Sequence, residues 1–354
     1  MTLPTEIRAW QMDQPGAPLT RRALPVPDLG PADVLVEVAG CGLCHTDLSF
    51  LHGGVGTKHA PPLTLGHEIS GRVVAAGERM SALAGKDVLI PAVLPCGECD
   101  LCKAGYSRIC RAQIMPGNDI DGGFATHIKV PGRFVCPVDL GGSGIDLWEL
   151  AVVADAVTTP YQAAERAGIV AGDTVIVIGV GGIGTYGVQV AAARGARVVA
   201  LDIDQVKLDR MKEFGAGAVV NVTGLDPKAL KQEVKAAVKA AGGGQHRWKI
   251  LEMSGTAVGQ DTAFGLLNFG GVMAVVGFTM DKLSLRLSNI MAFDATLVGN
   301  WGCDATLYPD IVKLVLGGAI KVKPFVKRFP LDEINAVIAA ARAHELTERA
   351  VLVP

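Results

Sequence analysis

The chain has 354 residues, of which 49% are hydrophobic and 19% charged, with 33 Lys and Arg against 35 Asp and Glu. That length accommodates two domains with sizeable cores. So apolar a chain is not disordered as its main state, and a formal net charge of −2 excludes a nucleic-acid binder that works through a global basic field.

Taken in chain order, the first ~150 residues read as β structure. Alternating runs at Asp33–Gly40 (DVLVEVAG) and Ser70–Glu78 (SGRVVAAGE) are divided by Gly and Pro turns. From about Thr158 the texture changes. A strand at Thr174–Gly179 (TVIVIG) leads into an Ala-rich helix to Arg194, and ARVVALD at Ala196–Asp202 leads into a helix from Lys207. AVVNV then precedes an amphipathic helix at Lys228–Gly242, and KILEMSG and GGVMAVVGF read as further strands. Strands buried on both faces and separated by helices make a parallel, doubly wound sheet. Beyond about Gly299 two helices (TLYPDIVKLVLGG and LDEINAVIAAARAH) and a short strand, RAVLV, return to the first domain. The expected division is therefore 1–157 with 300–354, and 158–299.

The opening MTLPTEIRAW has no basic stretch followed by a long apolar run. The most apolar segment, TVIVIGVGGIG, is too short and too rich in glycine for a membrane helix of ~20 residues. A cytoplasmic protein with no membrane contact is expected.

Three constellations carry chemistry. The first is Gly179-x-Gly181-x-x-Gly184, with Gly182 and Ile183 inside the turn, placed between a strand and a helix. The first glycine permits the tight turn, the second lets backbone approach a pyrophosphate, and the third lets helix and strand pack closely. The helix start then offers free N–H groups to phosphate. Asp202 ends the next strand, 23 residues after Gly179. Its carboxylate can accept from ribose hydroxyls and repels a 2′-phosphate, and Asp204 adds to that repulsion. The expected coenzyme is NAD rather than NADP.

The second constellation is Cys96-x-x-Cys99-x-x-Cys102-x7-Cys110, in a lobe at about 95–111. Four thiolates close a tetrahedral shell, which is what a structural zinc requires. An iron–sulfur cluster is the competing reading. Cys41, Cys136 and Cys303 read as small buried hydrophobes.

The third is dispersed: Cys44-His45-Thr46-Asp47, then Gly66-His67-Glu68, then Asp155. Thiolate, imidazole and carboxylate are each zinc ligands, and three of them leave a fourth position for water or substrate. Any one of these residues alone is weak evidence.

In this order, GLCHTD, GHE, the four-cysteine lobe and GVGGIG resemble the zinc-dependent alcohol dehydrogenases of the medium-chain dehydrogenase/reductase family, over nearly the whole chain. The resemblance implies an α/β protein: a GroES-like β-barrel catalytic domain plus a Rossmann domain, with the active site in the cleft between them. It implies two Zn²⁺ per chain, one catalytic and one structural. Cys44, His67 and Asp155 become ligands of the catalytic zinc, with Asp155 where many relatives carry Cys. Glu68 becomes an adjacent carboxylate able to approach the metal. Asp47 becomes the partner that orients His67, and Thr46 the hydroxyl that takes the alcohol proton. Where many relatives place a proton-relay His, this chain has Ser49, with His52 nearby. Lys207 corresponds to a contact with the adenosine ribose, the Val275–Phe278 strand end to backbone that meets the nicotinamide carboxamide, and Arg349 to a residue near the pyrophosphate.

The expected partner is a small-molecule alcohol. Val93, in an apolar wall, leaves room for a bulky or cyclic one. The stretch Ile109–Pro131 and the opening RAWQMDQPGAPL resemble the branch that oxidises 6-hydroxycyclohex-1-ene-1-carbonyl-CoA, which implies a CoA thioester. Asn118 and Asp119 then lie in a loop unusual for the wider family, and Lys58, Lys103, Arg108 and Arg111 are basic candidates for the CoA phosphates. A free secondary alcohol, polyol or amino-alcohol is the alternative substrate. A zinc- and NAD-binding sensor without turnover is the alternative of another class, and the intact Thr46 counts against it. By analogy with the family, a tetramer is expected.

Overall fold

The structure, a computed structural model, describes residues 4–354. Two compact units are present: one comprises the chain up to Thr158 with Gly302–Gly318 and Val322–Pro354, the other Thr159–Trp301 with Ala319–Lys321. The elements in chain order begin with β1 (Glu6–Met12), β2 (Thr20–Pro25), β3 (Asp33–Gly42), α1 (His45–His52), β4 (Leu63–Thr64), β5 (Glu68–Ala76), β6 (Asp87–Ile90), α2 (Asp100–Lys103), β7 (His127–Pro131) and β8 (Cys136–Val138). Next come α3 (Thr158–Arg166), β9 (Thr174–Ile178), α4 (Gly184–Ala193), β10 (Arg197–Asp202), α5 (Gln205–Glu213), β11 (Ala216–Asn221) and α6 (Pro227–Ala240). The remainder are β12 (Lys249–Glu252), α7 (Ala257–Gly265), β13 (Val272–Val275), α8 (Ser288–Phe293), β14 (Thr296–Gly299), α9 (Tyr308–Leu316), β15 (Val326–Pro330), α10 (Ile334–Arg342) and β16 (Arg349–Val353).

In the first unit the main sheet runs β15-β16-β3-β5-β6-β8, with β7 also paired to β3, beside a smaller sheet β2-β1-β4. β3 and β5 are antiparallel, and Gly42 faces Glu68. That register brings the chain leaving β3 and the chain entering β5 to the same end of the sheet. Gly42 has to be glycine there, because a Cβ would lie 2.1 Å from the Glu68 carboxylate. Val34, Val36, Leu63, Leu65, Ile69, Val73, Val88, Ile90 and Leu352 form the core of this unit. Each buried side chain of this kind contributes about 1.5–3 kcal/mol.

The second unit is a parallel sheet of order β11-β10-β9-β12-β13-β14. The strand order reverses between β9 and β12, which is where such sheets open a ligand crevice at their carboxyl ends. β9 is buried at every residue, as a strand covered by helices on both faces must be. Helix α6 illustrates the local logic. Asp226 caps it by accepting from the Lys228 and Ala229 N–H groups, Pro227 opens its first turn, and Leu230, Val234 and Val238 form its buried stripe at four-residue spacing. Trp248 is fully buried, yet its indole N–H donates to Gly244 O at 2.8 Å. Among the described residues no helix is long and apolar enough to cross a membrane.

Candidate active site

The β3–β5 register explains why residues far apart in sequence meet. Cys44 lies two residues beyond β3 and His67 immediately precedes β5. Asp155 follows the buried 3-10 stretch Leu147–Ala154, whose terminal carbonyl accepts from the Thr158 and Tyr308 hydroxyls. Cys44, His67, Glu68 and Asp155 each bring a ligand atom to within 4.8 Å of the others. Cys44 Sγ lies 3.9 Å and His67 Nε2 3.6 Å from Asp155 Oδ2. A tetrahedral zinc with ordinary bond lengths needs S···O and N···O edges of about 3.6 and about 3.4 Å. The donors therefore fit a zinc ion with adjustments of a few tenths of an ångström. Thr46 Oγ1 lies 3.6 Å from Cys44 Sγ.

Asp47 is fully buried and bridges the turns that carry Cys44 and His67. Its Oδ2 accepts from the Cys44 N–H at 2.9 Å, and its Oδ1 from the Gly66 N–H at 3.1 Å. The His67 Nδ1–Asp47 Oδ1 separation of 3.6 Å is that of a charge contact, longer than a hydrogen bond. Asp47 thus acts on His67 both through its charge and through the Gly66 backbone that precedes it. Without a metal, burial lowers the His67 pKa, but Asp47, Asp155 and Cys44 together raise it well above the ordinary value.

Glu68 is fully buried, and both its oxygens are engaged by Arg349 on β16. Burial raises the Glu68 pKa, and Arg349 partly offsets this. The sequence placed Arg349 near a pyrophosphate; in the structure its Nε and one terminal nitrogen are spent on Glu68. Ser49 donates to the His45 carbonyl one turn back, and His52 is exposed at the end of α1. Val93 is buried.

In the cysteine lobe the sulfur separations are 4.0 Å (Cys96–Cys102), 3.5 Å (Cys99–Cys102), 3.7 Å (Cys99–Cys110) and 3.5 Å (Cys110–Cys96). One zinc with Zn–S bonds of about 2.3 Å needs edges of roughly 3.8 Å. Thiolates on different irons of a cluster are spread wider than this, so the lobe fits a single ion. Backbone N–H groups already point at sulfur: Glu98 N donates to Cys96 Sγ and Cys96 N to Cys110 Sγ, each at 3.4 Å. The amides of Glu98 and Cys99 lower the Cys96 thiol to about 6.

The glycine turn behaves as its chemistry requires. Gly179 has φ +82°, and a Cβ on it would lie 2.6 Å from Ser254 Cα. A Cβ on Gly184 would lie 1.7 Å from Gly179 O. Around a Cβ on Gly181 there is no protein atom within 4 Å, so the space that this glycine keeps open is external. That open space, at the start of α4, fits a dinucleotide phosphate. Gly182 is exposed and Ile183 half-buried. Asp202 Oδ2 accepts from the Val180 N–H at 2.7 Å, and Oδ1 accepts from Ile203 and Asp204, which fixes the carboxylate beside the turn. Asp204 caps α5 and lies 3.5 Å from the Lys207 ammonium. Phe278, just beyond β13, is 64% exposed.

The loop around Asn118 and Asp119 is bonded to its neighbour. Asn118 accepts from Lys58 N and His59 N, and Asp119 pairs with Lys58 Nζ at 2.6 Å. Lys58 is thereby committed, Arg108 stacks on Tyr106, and Lys103 and Arg111 are exposed. Two features escaped the sequence reading. One is the Glu68–Arg349 pair, which joins strands remote in sequence. The other is Glu252, fully buried at the end of β12, whose only signal is a charge inside the apolar run KILEM.

The chain is similar to known proteins over nearly its whole length. Residues 30–139 match the alcohol dehydrogenase GroES-like domain, and residues 182–317 match the zinc-binding dehydrogenase domain. An alcohol dehydrogenase of Geobacillus stearothermophilus is 31% identical over 92% of this chain and 93% of its own length. A protein of Sinorhizobium meliloti 1021 described as a zinc-binding dehydrogenase and solved with NADP has a TM-score of 0.88 at 28% identity, covering 99% of this chain and 100% of that one. A thermostable alcohol dehydrogenase of Pyrobaculum aerophilum, solved with cobalt and zinc, has a TM-score of 0.84 at 26% identity, with coverage of 99% and 100%. The chain belongs to the zinc-type, NAD(P)-dependent alcohol dehydrogenase family and is an oxidoreductase acting on CH–OH groups.

Proposed function

We propose that this chain is a cytoplasmic, zinc-dependent, NAD-linked dehydrogenase that oxidises a secondary ring alcohol carried on a CoA thioester, 6-hydroxycyclohex-1-ene-1-carbonyl-CoA, to the corresponding enone. The observation that carries the dehydrogenase reading is the convergence of Cys44, His67 and Asp155 on one ion-sized space beside Thr46. Two zinc ions per chain are assigned, one to that set and one to Cys96, Cys99, Cys102 and Cys110. The first unit is the catalytic one, and the second holds the coenzyme through Gly179–Gly184, Asp202, Lys207 and the backbone at Phe278.

When bound, zinc supplies Lewis acidity that stabilises an alkoxide, and NAD supplies the hydride acceptor. The residues do the rest. Cys44 and Asp155 bring two negative charges to the donor set, which keeps the net charge low and eases product release. The Thr46 hydroxyl takes the proton of the alcohol and passes it outward. Asp47 holds the Cys44 and His67 turns at their spacing. Asp202 accepts from the ribose hydroxyls and disfavours a 2′-phosphate, in contrast to the NADP bound by the Sinorhizobium relative.

The CoA thioester rests on the likeness of the Ile109–Pro131 stretch. A free secondary alcohol is the second reading, favoured by the pairing of Lys58 with Asp119, which removes one basic candidate for CoA phosphates. NADH absorbance in a panel of the cyclic hydroxy-enoyl-CoA against free cyclic alcohols, polyols and amino-alcohols decides between them. Turnover of the thioester at least tenfold above the free alcohols is expected. Activity confined to free alcohols ends the CoA reading, and equal kcat/KM with NADP ends the coenzyme assignment.

A further inference from the structure

Glu252 is fully buried, yet it takes no part in the metal set, the glycine turn or the Asp202 contacts. It ends β12, the strand next to the crevice. In doubly wound dinucleotide folds the first half of the sheet receives the adenosine side, and the strands beyond the reversal receive the nicotinamide side. The loops after β12 and β13 are therefore the nicotinamide-side loops.

Glu252 lies under both of them. Its Oε1 accepts from the Ser254 N–H at 2.8 Å and from the Ser254 hydroxyl. That hydroxyl is shared with Thr256, whose own Oγ1 accepts from Gly259 N at 3.0 Å and so caps α7. On the other side, the backbone carbonyl of Glu252 accepts from Val276 N and Gly277 N, each at 3.0 Å. The two loops touch above the carboxyl. A Cβ on Gly277 would lie 2.2 Å from Gly255 N and 2.8 Å from Glu252 Oε2, and a Cβ on Gly259 would lie 3.0 Å from Oε1. Oε2 has no hydrogen-bond partner among the described residues. Burial raises the pKa of this carboxyl, and the Ser254 hydrogen bonds, together with the nearby Gly255 and Gly277 amides, offset part of that rise.

We propose that Glu252 is a positioning residue for the coenzyme: its buried carboxyl and backbone carbonyl hold the Ser254–Thr256 and Gly277–Phe278 loops at the spacing that receives the nicotinamide half of the dinucleotide. Two glycines at the contact and a serine tied twice to one oxygen are what such a support requires. A residue that only filled the core would not need to be polar. The proposal rests on the assignment of the second unit as the holder of a nicotinamide dinucleotide.

The test compares NADH with ADP-ribose, which lacks the nicotinamide ring, as ligands of the zinc-loaded full chain. Nicotinamide fluorescence reads NADH, and calorimetry reads ADP-ribose. E252L removes the acceptor for Ser254, and two lost hydrogen bonds correspond to a fall in NADH affinity of about tenfold. ADP-ribose affinity is expected to stay within about twofold. E252Q keeps an acceptor oxygen for Ser254 and the side-chain volume, so NADH binding is expected within about threefold of the unaltered chain. S254A, which leaves the core untouched, is expected to weaken NADH but not ADP-ribose; with E252Q it carries the test if E252L does not fold. Equal losses for both ligands, a loss in E252Q matching that in E252L, or no loss in S254A and E252L overturns the proposal. An unaltered chain that binds ADP-ribose and NADH, with variants that do the same, removes this proposal alone. An unaltered chain that binds neither removes the coenzyme assignment itself.

Discussion

Asp47 offers the sharpest test of how the candidate centre is held. Its two carboxylate oxygens each take one backbone N–H, from Cys44 at 2.9 Å and Gly66 at 3.1 Å, in a fully buried setting. Asp47→Asn can satisfy only one of these, since its amide nitrogen is a donor facing a donor. A buried N–H left without a partner costs about 1–3 kcal/mol. Asp47→Asn is therefore expected to destabilise the first unit by about 1–3 kcal/mol, and Asp47→Ala, which orphans both, by about 2–6 kcal/mol. Because the same two turns carry Cys44 and His67, zinc affinity at the three-ligand set should fall by about 10–100-fold in both variants. Denaturant unfolding of zinc-loaded and chelator-stripped protein reads the first number, and competition with a chromophoric chelator reads the second. If Asp47→Ala unfolds within about 0.5 kcal/mol of the unaltered chain and retains zinc equally well, the bridging role is wrong.

Three further outcomes follow from the geometry. Gly181→Ala should leave thermal stability unchanged, since its Cβ meets nothing within 4 Å, but should weaken NADH binding at least about tenfold; Gly184→Ala, 1.7 Å from Gly179 O, should lose both. Full NADH affinity in Gly181→Ala contradicts the pyrophosphate assignment. Cys99→Ser should lower the metal content from two zinc ions per chain to one, read by elemental analysis, and iron in the purified chain would contradict the zinc assignment. The His67 pKa in the metal-free chain is raised above 6.5, so its proton supports the metal-free fold below that pH, and this support is lost as pH rises through the raised value. Zinc requires the neutral imidazole, so zinc affinity should climb as pH rises above 6.5, with proton release on binding; pH-independent affinity at the three-ligand set would contradict it.

Much of the second unit was legible because its signals are local. The strands at Thr174 and Ala196, the helix around Leu230–Val238 and the glycine turn are each set by a short window of side chains, and the structure has β9, β10, α6 and the turn there. β14 was not read, because Thr296–Gly299 is a short, largely exposed edge with no alternation to betray it. In the first unit the individual candidate ligands could be named, but their meeting could not be derived from spacing. It depends on the antiparallel register that sets Gly42 opposite Glu68, a pairing between strands separated by α1 and a long loop. The roles of Asp47 and Arg349 were shifted for the same reason: one binds backbone amides across two turns, and the other neutralises a carboxylate on a distant strand. Glu252 went unread because a single acid within a hydrophobic run has no periodicity of its own.

The discontinuity of the first unit bears on how the molecule is made. β3 is flanked in its sheet by β16, which is translated after every element of the second unit. As the chain is synthesised, every strand of the parallel sheet is present before β16, so Cys44, His67 and Asp155 are made well before Arg349. During that interval the Glu68 carboxylate has no counter-charge, and one edge of β3 lacks its neighbour. The β3–β16 pairing and the Glu68–Arg349 pair can therefore form only after the whole second unit has been translated.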